Sequence, residues 1–547
     1  MKFIKFIIAI FLISCSVLYA QPAELWMKTY NNPNGTGMDF CEKSVIDAQG
    51  NIYMTGSTRT ANTSDDVMLL KYNSAGTFLW SKTYNYSYNG IEQPNDIAVD
   101  NNGNIYITGT STRAQGSYDC LLLKFDSNGN IIWVKRINKT NFSQRQAEGV
   151  SLVLRDGIYV GVNFNYDGDS ECGIAKYSFN GDSLAYLSLG MLQNYTYGMQ
   201  KMVQDNSMNI YAICSGDILP NEEEDFLVKK INTNGSLTQV WSKIYTGTSH
   251  LNDRARDIAV GPDGNILVTG YTNVNNQGAN VLLLKVGRDD GAFLFQKTFN
   301  NAINNQNDYG ERISFDNNSN IIIGGATNAL NSPDNILLLK YSPAGTLIWS
   351  KEYSHTGNRY DWIRDMKTDN AGNIYLNAEC FDQPNQTTGI LTAKFSQAGE
   401  LDWFIEKSAQ TTSQSVNTLH IIADGSLIIS GNTEVTGTRK TMLVKYGSTI
   451  GIEPVSNEVP AEFVLSQNYP NPFNPVTNIN FSIPKAGIVK LVVFDAAGKQ
   501  VAKLVNKQLS AGTYKYDFNA SHLSSGIYFY RLETAGFTDV KKMTLVK

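Results

Sequence analysis

Aromatic and arginine residues recur in the polar segments that separate short apolar runs along the first 450 residues of the chain. Such side chains can stack on sugar rings or peptide side chains and can hydrogen-bond to their polar groups. We therefore expect a binding surface for a carbohydrate or a protein. The residues predicted to form it are Tyr86, Tyr88, Arg145, Tyr197, Arg254, Arg256, Arg312, Arg359, Tyr360, Trp362 and Arg364, and Phe142, Tyr195 and Tyr309 lie in the same segments.

Catalytic and metal-binding patterns are missing from the sequence. It has no Gly-x-Ser-x-Gly, His-Glu-x-x-His or glycine-rich phosphate loop, so no catalytic residue is predicted. It has no Cys-x-x-Cys pair, and aspartate-rich turns such as residues 100–104 lack the glutamate that completes a calcium loop. We expect no cofactor and no metal. A polysaccharide- or peptide-degrading enzyme with its site on the same surface stays an alternative.

The elements that must position these residues come from an internal repeat of about 54 residues. Each unit has four short apolar runs bounded by Asn-Gly or Asp-Gly turns, which is typical of strands joined in hairpins. The second and third runs occur eight times, and they are apolar almost throughout, as in strands covered on both faces. The sequence therefore predicts an all-β fold in which residues 21–450 form an eight-bladed β-propeller.

The segment ELWMKTYN, residues 24–31, resembles the fourth run of later units, such as LIWSKEYS at residues 347–354. The last unit, residues 416–446, supplies only three runs before the repeat ends. We expect the N-terminal run to become the fourth strand of the last blade. The ring would then be closed, without exposed sheet edges.

A lysine occupies the sixth position of every third run. Eight equal copies could form a ring of charges that binds a ligand. The simpler interpretation is structural: each lysine pairs locally while its stem packs on a neighbouring blade. The eight residues are Lys71, Lys124, Lys176, Lys230, Lys285, Lys340, Lys394 and Lys445.

Connection lengths predict where the binding residues lie. The segments that join the second run to the third, and each unit to the next, are longer than the other turns. Both groups of long connections lie on one face of a propeller. Variable loops on a rigid scaffold often carry function. We therefore expect the binding residues in the loops of that face.

The pattern Asp-x-Ala-Val-Asp-x-x-Gly-Asn-Ile-Tyr-Ile-Thr-Gly at residues 96–109 resembles the SBBP-type propeller repeats of secreted bacterial proteins. The resemblance covers about residues 23–447. The family implies seven blades, whereas this sequence counts eight units. It implies little about activity.

The first 20 residues have the features of a secretion signal. Lys2 and Lys5 precede a short apolar run, Phe6–Ile13, that is too short to span a bilayer. We expect cleavage after Ala20. In an alternative, residues 12–15 form a lipobox, and Cys15 becomes the acylated N-terminus of a lipoprotein.

The repeat is followed by a polar segment with two prolines, residues 451–462, which predicts a linker. Residues 463–547 contain about seven short alternating strands, which favours a small β-sandwich of the immunoglobulin or fibronectin type. This region resembles the type A C-terminal sorting domain of cargo secreted by the type IX system. The residues that carry the motifs are Tyr469, Pro470, Asn471, Pro472, Phe473, Asn474, Pro475, Gly498, Gly512, Gly526, Tyr528 and Lys541.

The resemblance implies a partner, the outer-membrane translocon and its sorting machinery, and a location on the cell surface or outside the cell, reached through the periplasm. The net charge of −5 gives no basic surface for nucleic acid, and we expect a monomer. A purely structural surface protein is a further alternative. Deletion of residues 460–547 is expected to leave the chain in the periplasm.

Overall fold

The computed structural model divides the chain into two compact units, Met1–Gly447 and Ser448–Lys547. In the part of the chain that it describes, every regular element is a β-strand, and no helix there is long and apolar enough to cross a membrane. The predicted signal peptide lies outside this part. The described residues are 21–546 except 62, 87–89, 115–116, 139–145, 167–168, 218–222, 302–306, 330–331, 355–358, 383–386, 408–412, 436, 448–451, 457–458 and 521–522.

The first unit begins with a single strand, β1, which precedes strands grouped in fours along the chain. The strands are β1 (Glu24–Tyr30), β2 (Gly35–Ile46), β3 (Ile52–Thr60), β4 (Asp65–Tyr72), β5 (Phe78–Tyr84), β6 (Glu92–Val99), β7 (Ile105–Ala114), β8 (Ser117–Phe125), β9 (Ile131–Ile137), β10 (Gln146–Leu154), β11 (Ile158–Tyr166), β12 (Asp169–Tyr177), β13 (Ser183–Gln204), β14 (Asn209–Asp217), β15 (Asp225–Asn232), β16 (Thr238–Tyr245), β17 (Asp253–Val260), β18 (Ile266–Val274), β19 (Gly278–Val286), β20 (Phe293–Phe299), β21 (Asp308–Phe315), β22 (Ile321–Ala329), β23 (Ser332–Tyr341), β24 (Leu347–Tyr353), β25 (Arg359–Thr368), β26 (Ile374–Asp382), β27 (Thr387–Phe395), β28 (Leu401–Lys407), β29 (Gln414–Ile421), β30 (Leu427–Val435) and β31 (Thr438–Tyr446).

Each group of four is an antiparallel meander, here called a set. β17–β20, β21–β24 and β25–β28 are separate four-stranded sheets. Other sets are joined by single parallel bridges, Met38 with Arg439 and Gln146 with Tyr118. The long strand β13 belongs to two sets: its first half pairs with β12 and its second half with β14.

β1 pairs with β31, the last strand of the unit, and so takes the fourth place beside β29, β30 and β31. Its register matches that of the other fourth strands. Trp26 lies opposite Lys445, as Trp349 lies opposite Lys340. The predicted pairing of the N-terminal run with the last repeat is therefore present.

The second and third strands of each set are buried on both faces, as their apolar runs predicted. Ile52 to Thr58 of β3 and Asp65 to Leu70 of β4 are buried throughout. The apolar clusters connect consecutive sets rather than lying inside one. Ile322 and Leu338, for example, pack with Ile363 of the next set.

The repeated lysines link neighbouring sets. In six of them the ammonium group donates to a backbone carbonyl one repeat ahead, at N–O distances between 2.7 and 3.4 Å. The structural interpretation of these lysines is confirmed. The pairs are Lys71 with Ser127, Lys124 with Phe179, Lys176 with Thr233, Lys230 with Arg288, Lys285 with Pro343 and Lys340 with Gln397, and Lys394 and Lys445 form ion pairs with Asp402 and Asp424.

The fourth-strand tryptophans make a second link between sets. A Cβ atom added at Gly76 would lie 2.6 Å from the Trp26 ring, and one at Gly129 would lie 2.9 Å from Trp80. These turn glycines have positive φ, which glycine adopts without strain. Each indole therefore covers the turn of the following set. Gly235 differs, because nothing lies within 4 Å of its added Cβ.

The second unit contains two four-stranded sheets around one apolar core, as expected for a sandwich. The sheets have the orders β32-β37-β34-β33 and β36-β35-β38-β39. Its first strand lies within the segment that the sequence assigned to a linker. The strands are β32 (Ile452–Ser456), β33 (Val464–Leu465), β34 (Val476–Ile483), β35 (Gly487–Asp495), β36 (Gln500–Leu509), β37 (Gly512–Asn519), β38 (Gly526–Thr534) and β39 (Phe537–Leu545).

Candidate functional site

β25 presents three of the predicted binding residues on one face. Side chains alternate between the two faces of a strand, so Tyr360, Trp362 and Arg364 share a side while Asp361 and Ile363 are buried on the other. The register shifts at a β-bulge between Ile363 and Asp365. This bulge ends the alternation directly after Arg364.

A cavity of about 380 Å³ lies against this face. We call it the aromatic cleft. Its lining follows from the strand register, since Tyr360 lies opposite Phe381 and Trp362 opposite Glu379 on β26, and β27 adds Thr388. The Tyr360 and Phe381 rings are 6.5 Å apart between centroids. Half of the Trp362 surface is exposed, which is high for an indole.

Charged groups hold the indole in place. The Trp362 Nε1–H donates to Asp334 Oδ2 at 3.1 Å. Arg364 Nε donates to Glu379 Oε2 at 2.9 Å, and the Arg364 guanidinium lies 5.9 Å from the Trp362 ring centroid. Asp334 is 6% exposed, and burial raises the pKa of its carboxyl, an effect that the indole hydrogen bond opposes. The cleft thus combines an exposed aromatic face with fixed polar groups.

A second aromatic group adjoins the cleft, formed by the two preceding sets. Tyr271 and Tyr309 meet edge to face at 5.2 Å. The Arg256 guanidinium lies 5.7 Å from the Tyr271 ring centroid and 3.7 Å from Glu311. Burial raises the pKa of Tyr309, and the charge of Asp334 raises it further. Asp334 therefore connects this group electrostatically with the aromatic cleft.

The predicted binding residues lie on strands more often than in loops, which corrects the expectation from connection lengths. Each first strand extends further towards the long-loop side than the apolar run indicated. Polar residues such as those of Asp253–Val260 can continue a strand when one face is buried. The residues concerned are Arg254 and Arg256 on β17, Tyr309 and Arg312 on β21, and Arg359, Tyr360, Trp362 and Arg364 on β25.

Of the predicted residues that the structure describes, Tyr86 and Arg312 do not line the cleft. Tyr86 follows β5 and stacks on the Arg136 guanidinium at 3.7 Å. Arg312 donates to the backbone carbonyl oxygens of Arg364 and Glu311, both at 2.7 Å, and so stabilises the scaffold. Tyr195 and Tyr197 lie within β13. Tyr88, Phe142 and Arg145 lie outside the described residues.

Four partners that complete the cleft were not predicted from the sequence: Asp334, Glu379, Phe381 and Thr388. All four stand near the ends of second and third strands, whose apolar runs predict only scaffold. Pairing the first run of the unit with the second in antiparallel register would have placed Phe381 beside Tyr360. Within the described residues, no group of three or more His, Cys, Asp or Glu side chains could hold a metal ion.

In the second unit, the proline-rich motif is fixed to β39, an edge strand of the sandwich. Phe473 is buried, and its backbone N–H donates to the carbonyl of Thr544 at 2.9 Å. Asn471 Oδ1 accepts the Thr544 N–H at 2.9 Å. Tyr469, by contrast, is 77% exposed. Tyr528 donates to the carbonyl of Ser524 at 2.7 Å and closes the turn before β38.

Comparison with protein families identifies both regions. Residues 467–546 match the secretion system C-terminal sorting domain. Residues 79–113 and 240–276 match the β-propeller repeat of SBBP type. The first match supports export of the chain by the type IX system to the cell surface or the outside. No curated protein matches the chain.

Several solved structures are similar at low identity. The WD40 domain of SCAP from fission yeast is 10% identical, with a TM-score of 0.40, covering 77% of this chain and 98% of its own. PorZ, a surface component of the type IX secretion system of Porphyromonas gingivalis, is 10% identical, with a TM-score of 0.23, covering 95% and 100%. The β-propeller domain of the Trilobed protease from Pyrococcus furiosus is 7% identical, with a TM-score of 0.36, covering 68% and 96%.

Proposed function

We propose that this chain is an exported β-propeller that binds a carbohydrate at the cell surface through the aromatic cleft. The observation that carries the proposal is the exposed face of Trp362, flanked by Asp334, Glu379 and Arg364. An aromatic face packs against the C–H side of a sugar ring, and fixed charged groups beside it hydrogen-bond to the hydroxyls. A glycan-degrading activity is the alternative that the experiment below separates from binding.

The scaffold that we propose is a ring of eight blades closed by β1. The first and last sets are neighbours: Ile428 and Leu443 pack in one cluster with Met54 and Leu70. The N–H of Cys41 also donates to Asn432 Oδ1 at 2.6 Å. With β1 in the fourth place, each set has four strands. A closed ring would hold the cleft residues of consecutive sets at fixed spacing.

The test uses the full mature chain, a glycan array and calorimetry on the glycans that bind. Trp362→Ala is expected to weaken binding about tenfold or more, because it removes the stacking face. Ile348→Ala is the matched control: Ile348 is similarly exposed on the outer strand β24, so affinity should not change. The proposal fails if no glycan binds or if both variants bind as tightly as the wild type. Shortened glycans in the same samples would instead indicate an enzyme.

A further inference from the structure

Two cysteine sulfurs meet at the junction between the third and fourth complete sets. Cys172 Sγ on β12 lies 3.1 Å from Cys214 Sγ on β14. Both residues are fully buried. Cys172 lies opposite Gly190 in the first half of β13, and Cys214 lies opposite Met199 in its second half. The sulfurs therefore face each other across the place where β13 passes from one set to the next.

This junction lacks the indole contact that other junctions have. Trp133 covers Gly181 at the preceding junction, and Trp241 covers Gly291 at the following one. Here the fourth-strand position opposite Lys176 is occupied by Ala185, and nothing lies close to Gly235. One of the two side-chain links between sets is thus missing where the cysteines meet.

The repeat itself shows that the cysteine pair is specific to this junction. The position of Cys172 in the third run is occupied by apolar residues or threonine in six units and by Cys120 in the preceding one. The position of Cys214 in the second run is glycine in five units, alanine or valine in the other two. Thiol therefore faces thiol at one junction of the chain, and the lone thiol of Cys120 is a natural control.

We infer that Cys172 and Cys214 form a disulfide in the exported protein. Two S–H bonds break and one S–S bond of about 2.05 Å forms. The two protons and the two electrons are taken up by the disulfide of a thiol oxidoreductase in the export compartment, which is thereby reduced to two thiols. The inference rests on the proposed export, because such compartments are oxidising.

Burial of the Cys214 thiol determines when the disulfide can form. The hydrogen bond to Cys172 and burial both raise the pKa of the Cys214 thiol, so little thiolate forms once the sheets are packed. Oxidation therefore precedes the packing of β12 against β14. The cross-link then holds the two sets together at the junction that lacks its indole, and it restricts the unfolded chain over the residues between the cysteines.

The pairing of Cys172 with Cys214 is first tested in protein that has not been exported. The chain from residue 21 onward is produced in a reducing cytoplasm, unfolded in urea and refolded with oxidised glutathione. Labelling with a maleimide under denaturing conditions should then find three free thiols instead of the five present after reduction. Trypsin should release residues 156–176 linked to residues 202–229, each of which contains one cysteine. Five free thiols, or a different pair, would overturn the inference.

The exported protein is tested separately, by the same thiol count on material from the medium or the cell surface. Three free thiols are expected in the wild type, four in Cys172→Ser and two in the control Cys120→Ser. Reductant should lower the unfolding midpoint of the wild type and of Cys120→Ser, and should leave Cys172→Ser unchanged. Five thiols in exported wild-type protein would overturn the disulfide. Absence of the protein from the surface, with correct pairing after refolding, would instead contradict the proposed export.

Discussion

At the scale of single residues, the third-strand lysine of six sets stabilises the contact with the next set. Lys340 lies 2.8 Å from Asp316, and the two side chains are 5% and 0% exposed. Its ammonium also donates to the carbonyl of Gln397 in the next set at 3.0 Å. Because the pair is buried, loss of one partner leaves a carboxylate whose desolvation is no longer compensated. The recurrence of this lysine along the repeat is consistent with its structural role.

Lys340→Met is expected to lower the free energy of unfolding by about 3 kcal/mol at neutral pH. Lys351→Met is the control, since the Lys351–Glu400 pair is exposed and should contribute no more than about 1 kcal/mol. Urea unfolding of the two variants measures the difference. Equal decreases in the free energy of unfolding would mean that the buried Lys340–Asp316 pair contributes no more stability than the exposed pair.

The same pair predicts a pH dependence. Burial opposes ionisation of Asp316, but hydrogen bonds from Lys340 and Asn320 outweigh it and hold the pKa of this carboxyl below its ordinary value. A depressed pKa contributes stability that is complete above the ordinary carboxyl pKa and is lost as the pH falls through the lower folded value. The stability difference between wild type and Lys340→Met should therefore shrink below about pH 4. A difference that stays constant down to about pH 2 would contradict this.

At the scale of elements, the tryptophan strand and the glycine turn act as a pair across each junction. The junction formed by β1 can be tested with two glycines of the same conformation. Gly76 and Gly235 have φ values of 77° and 84°, so alanine costs similar backbone strain at both, about 1–2 kcal/mol. Only at Gly76 would the new methyl group meet an indole, that of Trp26.

Gly76→Ala is therefore expected to destabilise the protein by about 1–3 kcal/mol more than Gly235→Ala. Thermal unfolding of both variants measures the excess. Equal losses of stability would show that Trp26 does not pack on the first set in solution, and the proposed closure by β1 would lose its main contact.

The elements were more predictable from the sequence than the site was. Strand number, turn glycines and the pairing of β1 with β31 all follow from a repeat whose copies constrain one another. The cleft does not repeat: Tyr309 and Phe40 are aromatic at the position of Trp362 in other units, but no other unit has an aromatic residue at the position of Phe381. Its partners become visible only after the register is known, because Asp334 and Glu379 lie on strands that the pattern marks as core. An apolar run predicts that a strand is buried. It does not predict which residues at the end of that strand contact solvent.

At the scale of the whole molecule, the proposed binding site and the sorting domain lie in different units. The compact boundary at residue 448 and the pairing of β32 with β37 indicate where a deletion should be made. Removal of residues 460–547 would leave β32 without its partner strand. Removal of residues 448–547 takes away the complete sorting unit.

Deletion of residues 448–547 is expected to leave a folded first unit in the periplasm, because the region that matches the sorting domain is lost. Cell fractionation and protease protection measure its location, with the full-length chain as control. Arrival of the shortened chain at the surface or in the medium would contradict the sorting role of the second unit.

The pairing of Glu24 with Tyr446 gives this protein an unusual order of assembly. The strand β1 must wait for β31, the last strand of its unit, because β31 is the sheet partner of β1. Contacts between such distant parts of a chain form slowly. A nascent or partly exported chain therefore keeps one strand unpaired until synthesis of the unit is complete, and this delay suits a polypeptide that must cross a membrane before it acquires its final shape.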